Sequence, residues 1–193
     1  SGSAVNYIRS DNGTISLEAQ NIGAKDNALR ILDNGVVVNA EATGNIILEG
    51  VNGSGSTGEL VLGTIEGANL DVTSAGNVSI GKDASEDEAA VEGSIEVNGN
   101  ASISAEDGSV TQTADSNITA NAVNASATEN ILLNSKENKV NSFVVNGLGA
   151  DNNLNGSIEL AGSKDDGFTA NLNGITVNNG GVTVSIFVGG GSA

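Results

Sequence analysis

In 193 residues the chain carries 24 acidic side chains against seven basic ones, a formal net charge of −17, and it has no His, Cys, Met, Trp or Pro. With no basic stripe to displace counterions, binding to a phosphate backbone is excluded as a main role, and anionic membrane surfaces are disfavoured for the same reason. The lack of His and Cys also removes disulfides, thiolate chemistry, Ser/His/Asp and Cys/His nucleophiles and the usual zinc sites.

Taken in chain order, Ser1-Gly2-Ser3 reads as an expression scar, and a single repeat region is expected from residue 4 to residue 188, with a flexible tail over 189–193. Two strands are expected over Val5 to Arg9 and Thr14 to Ala19, separated by the turn Asp11-Asn12-Gly13. The second opens a phrase that the chain then repeats: a Gly or Asn, followed by alternating apolar and small polar residues. It stands at Gly13-Thr14-Ile15-Ser16-Leu17, Gly44-Asn45-Ile46-Ile47-Leu48 and Gly58-Glu59-Leu60-Val61-Leu62. It returns at Gly76-Asn77-Val78-Ser79-Ile80, Gly93-Ser94-Ile95-Glu96-Val97 and Gly156-Ser157-Ile158-Glu159-Leu160. The spacing, roughly 15 to 30 residues, lies in the range of stacked solenoids.

Residues 82–92, Lys82-Asp83-Ala84-Ser85-Glu86-Asp87-Glu88-Ala89-Ala90-Val91-Glu92, interrupt the phrase and read as a solvated acidic loop extruded from one coil. Weaker copies at Asn100-Ala101-Ser102-Ile103-Ser104, Gly108-Ser109-Val110-Thr111-Gln112 and Asn117-Ile118-Thr119-Ala120 carry small residues and predict a thinner core there. Larger apolar residues return from Ile131 to Val188, and no apolar series at helical spacing survives the Gly and Asn insertions. No apolar run approaches a transmembrane length, and the N-terminus has no charged region followed by an apolar one.

Gly13 to Ala19, then Asn21-Ile22-Gly23, then Asn27-Ala28-Leu29-Arg30-Ile31, resembles a phrase of the filamentous-haemagglutinin-like adhesins, large exoproteins exported by two-partner secretion. Val36 to Ala40, Gly44 to Leu48, Gly58 to Ile65 and Leu70 to Ile80 continue the resemblance, whereas Ala28 stands where the phrase often has Pro. The resemblance implies a right-handed parallel β-helix. It also implies secretion to the bacterial cell surface through an outer-membrane transporter, and a stalk whose loops contact host-cell proteins or glycans.

The residues support the fold independently. The only aromatics are Tyr7, Phe143, Phe168 and Phe187, so Val, Ile, Leu and Ala must fill the core, which suits a narrow aliphatic stack better than an antiparallel sandwich bridged by large rings. At about 20 residues per turn, about nine coils are expected. A carbohydrate-active enzyme on the same fold would need convergent carboxylates with substrate-gripping aromatic and basic residues, and the chain has few of either, so no enzyme and no cofactor is expected. The acidic stretch Asp83 to Glu92 and the turn Lys164-Asp165-Asp166-Gly167 could offer oxygens to calcium, but neither has EF-hand spacing and the Gly-Gly-x-Gly-x-Asp array is absent, so solvated acidic loops are the better reading. Asn-x-Ser/Thr sequons, Asn77 and Asn155 among them, leave glycosylation open, and a lone Thr111-x-Thr113 is no ice-binding column. The candidate contact residues are therefore Asp83, Glu86, Asp87, Glu88 and Glu92 in the acidic loop, with Lys136 and Lys139 further on.

Overall fold

The computed structural model describes residues 6–11, 13–86, 88–163 and 168–187. The expected scar at 1–3, the expected tail over 189–193 and the expected turn at 164–167 fall outside the described residues. Eighteen strands follow one another with no α-helix among the described residues. In order they are β1 (Ile15–Ala19), β2 (Leu29–Leu32), β3 (Asn34–Ala42), β4 (Asn45–Val51), β5 (Glu59–Gly67) and β6 (Asn69–Ser74). Then come β7 (Asn77–Ile80), β8 (Ser94–Val97), β9 (Asn100–Ala105), β10 (Val110–Gln112), β11 (Asn117–Ala127) and β12 (Ile131–Leu133). Last are β13 (Lys139–Gly147), β14 (Asn153–Asn155), β15 (Ile158–Ser163), β16 (Thr169–Asn171), β17 (Thr176–Asn178) and β18 (Val182–Phe187), with a single 3-10 turn at Ala150–Asn152. Of the expected strand at Val5 to Arg9, Val5 lies outside the described residues, and the rest contributes one parallel bridge, Ile8 to Ile31.

Every strand-to-strand pairing is parallel, and each partner lies one turn away, so the chain winds as a β-solenoid of about seven turns. Three columns of strands result. The first half of β5 stacks on β7, then β10, β12, β15 and β18. The second column runs from β1 through β3, the second half of β5, β8 and β11 to the start of β13. The third runs through β2, β4, β6, β9, the end of β11, β13 and β16.

Alternation decides what faces inward, because successive strand residues point to opposite faces. In β6 and β9 every second residue is buried. Stacking then places like on like: Ile46, Leu70, Ala101, Val123 and Phe143 form one inner file. Leu60, Val78, Val110, Ile131 and Ile158 form another. All these side chains are buried, and each large aliphatic contributes about 1.5–3 kcal/mol by leaving water. The middle coils bury Ala101, Ala105, Ala120, Ala125 and Ala127, matching the small residues of the weaker copies. Among the described residues Phe143 is the one fully buried ring, edge-on to Phe168 at 5.9 Å.

The coil count is lower than expected because the turns are longer than 20 residues. Equivalent corner residues are separated by 24, 24 and 31 positions in the row Asn21, Asn45, Asn69 and Asn100. In the row Asn77, Ser109, Asn130, Ser157 and Gly181 the steps are 32, 21, 27 and 24. The longest steps contain the acidic loop.

These corner rows explain the repeated Gly. Asn21 Oδ1 accepts the backbone N–H of Asn45 at 3.0 Å, and Asn39, Asn69, Asn77 and Asn130 accept likewise from Thr64, Asn100, Ser109 and Ser157. In each case the residue before the donor is Gly (Gly44, Gly63, Gly99, Gly108, Gly156), and a Cβ there would overlap the Asn side chain beneath it. The Gly is required by close approach, since none of the five has a positive φ.

One corner buries a polar plug instead. Asn138 Oδ1 accepts from Gln112 Nε2 at 2.7 Å and from the Ile118 N–H at 2.9 Å. Its Nδ2 donates to Gln112 Oε1 and to the carbonyls of Leu133 and Ala161. Three coils are thereby joined by one buried amide, and buried polar groups are stable only when so satisfied.

Candidate functional site

The acidic loop leaves the solenoid at Gly81, which has φ +77°, and returns at Gly93. Its neck is closed by a two-way antiparallel bridge: Lys82 N–H donates to the Val91 carbonyl at 2.8 Å and Val91 N–H to the Lys82 carbonyl at 2.7 Å. Nearer the tip, Ser85 N–H donates to the Glu88 carbonyl at 2.9 Å, and Lys82 forms an ion pair with Glu88. Asp83, Glu86, Glu88 and Glu92 are all exposed. Asp87 lies outside the described residues.

Lys136 sits on the turn between β12 and β13, exposed and 4.0 Å from Glu137, and Lys139 opens β13 with its side chain exposed. The structure brings this turn and the acidic loop to the same edge. Gly93 N–H donates to Ser116 Oγ at 2.8 Å, and Ser135 Oγ donates to the Ala114 carbonyl at 3.0 Å, so the turn 113–116 lies between the two.

The loop also reaches towards the first coils. A cleft of about 320 Å³ opens between it and the corners ahead of β1 and β3, lined among others by Asp11, Asn34, Val36, Lys82, Glu88 and Val91. Both of its carboxylates already have a cation: Asp11 pairs with Arg9 at 2.5 Å and Glu88 with Lys82.

A second charged feature escaped the reading of the sequence. Glu18 pairs in register with Glu41, Glu41 with Glu66, and Glu66 with Glu96, so four exposed carboxylates stand directly above one another on the outside of the second column. No Lys or Arg pairs with any of them among the described residues. Thr119 and then Lys139 continue the file. Its sequence signal is an aliphatic-Glu-small triplet, Leu17-Glu18-Ala19, Ala40-Glu41-Ala42 and Ile65-Glu66-Gly67, visible only once the coils are aligned.

The buried polar residues stand elsewhere. Asp33, at the corner between β2 and β3, is fully buried, and burial pushes its carboxyl above the usual carboxylate range. Its side-chain hydrogen-bond partner is Ser56. Among the described residues, no group of three or more His, Cys, Asp or Glu is placed to hold a metal ion, and no helix is long and apolar enough to cross a membrane. What the arrangement offers chemically is an outward-facing polar edge. No family model matches the chain, and neither does any curated protein or solved structure.

Proposed function

We propose that this chain is a β-solenoid segment of a secreted bacterial surface adhesin or exoprotein, acting as a stalk whose edge loops meet host proteins or glycans. The observation that supports this reading is the division of the molecule. One unbranched aliphatic stack accounts for its interior, while an acidic loop with a closed neck and the turn at Lys136 project from one edge. Such a stack sets a length, and repeat arrays of this kind carry binding residues on the loops that leave them. In the full-length protein an outer-membrane transporter would deliver the chain unfolded, and successive coils would fold outside.

The test is binding of the purified chain to host epithelial cells and to immobilised matrix proteins and glycans, with an unrelated acidic protein as control. A second chain has residues 83–90 replaced by a short Gly linker across the Lys82–Val91 neck. Saturable binding that the shortened chain loses, with its circular dichroism unchanged, is the expected result. No binding above the control would reduce the segment to a spacer.

A further inference from the structure

One buried acid stands where the coils are fastened to each other. Asp33 follows β2, and its backbone carbonyl accepts N–H groups from three consecutive residues of the next coil: Thr57 at 2.9 Å, Gly58 at 3.0 Å and Glu59 at 3.2 Å. The hydroxyls of Ser56 and Thr57 reach the same oxygen at 3.3 Å. One carbonyl therefore gathers the return of the 52–58 loop, which Arg9 also holds at the Ser54 carbonyl; Asn52 to Gly55 are exposed, and Gly55 and Gly58 have positive φ.

The side chain of that residue is in a costly position. It is fully buried, Ser56 Oγ contacts Oδ1, and Oδ2 has no partner at all. No Lys or Arg reaches it among the described residues. The ionisable groups on the elements packed around it are otherwise engaged. The Glu59 carboxylate accepts from Ser79, Arg9 pairs with Asp11 and donates to the Ser54 carbonyl, and Arg30 pairs with Glu49. The Tyr7 phenol lies against Gly53. An ionised carboxylate with an unpartnered buried oxygen and no counter-charge is far less stable there than a neutral acid.

We propose that Asp33 is a proton-operated clasp: with its carboxyl neutral it holds the 52–58 loop closed on the next coil, and with its carboxyl ionised that loop opens. The surroundings of the Asp33 carboxyl also favour its neutral form. Burial raises its pKa, and the Ser56 hydroxyl and its own backbone N–H only partly offset this. A pKa raised in the folded state means that the stabilisation is complete below the ordinary Asp value and is lost as pH rises through the raised one. Opening relieves the charge because water then reaches Oδ2 and replaces the Ser56 hydroxyl at Oδ1. The loop glycines supply the backbone freedom that this requires.

The experiment is amide hydrogen exchange from about pH 4 to about pH 8, with each rate divided by the intrinsic rate at that pH. In the native chain, protection of the Thr57, Gly58 and Glu59 amides is expected to fall by about tenfold or more as pH rises, while that of Ile118 and Ile131 stays constant. In Asp33→Asn, whose amide mimics the neutral acid in size and charge, the fall is expected to vanish. Ser56→Ala removes the one side-chain partner of the carboxyl and is expected to move the midpoint to higher pH. Protection of the three amides that is independent of pH in the native chain, or an undiminished fall in Asp33→Asn, would overturn the proposal.

Discussion

At the scale of single residues, the pair that builds this fold is an Asn beneath a Gly. Asn69 accepts the N–H of Asn100 at 2.9 Å, and Gly99 leaves the space that the Asn69 side chain occupies. A methyl group there must displace either the amide or the corner, so Gly99→Ala is expected to cost about 1–3 kcal/mol in urea denaturation. Gly181, where an added Cβ meets nothing within 4 Å, is the control. Gly181→Ala is expected to stay within about 0.5 kcal/mol, and equal costs at the two positions would refute the close-approach account. The Gly-Asn and Gly-Ser punctuation was plain in the sequence. Its cause was not, because the Asn that crowds the Gly lies in another coil, 24 to 32 positions before the residue that follows that Gly.

At the scale of strands, alternation told which residues face inward, as in Asn69–Ser74 and Asn100–Ala105. It did not tell which strands meet, because the register between coils depends on loops of unequal length. The glutamate file follows from that register. Carboxylates one strand spacing apart, ~4.8 Å, repel by roughly 0.9 kcal/mol in water before salt screening, and like charges directly opposite destabilise a sheet. Glu41→Gln combined with Glu66→Gln is therefore expected to raise Tm by about 2–4 °C at low salt, with most of the gain gone near 1 M NaCl. A gain that persists at high salt would point to packing rather than charge. The acidic loop itself was legible from its composition and its length. The ion pair between Lys82 and Glu88 was not, since six residues of separation mean nothing until the neck at Val91 closes.

At the scale of the whole molecule, the parallel solenoid was legible from the repeated phrase and the scarcity of rings, and the number of coils was not. Counting turns needs the true residues per turn, and Asp83 to Glu92 inflate one turn without adding to the stack. In the last described coil Val182, Val184 and Ile186 are between 41% and 52% exposed, whereas Ile158 and Leu160, one coil inward, are covered. Stability is thus a property of neighbours, each coil being held by the coils it stacks on.

Because strands pair coil to coil, their backbone hydrogen bonds run along the length of the solenoid rather than across it. A load applied between the two ends therefore meets those bonds a rung at a time, as a zipper does, and never all together. A turn of 24 residues set free yields about 80 Å of slack at ~3.3–3.6 Å per residue. Single-molecule stretching is expected to give a staircase of small releases, about seven for the intact stack, whereas one abrupt rupture would mean that the coils yield as a block. A solenoid pulled this way lengthens coil by coil before its last rungs part.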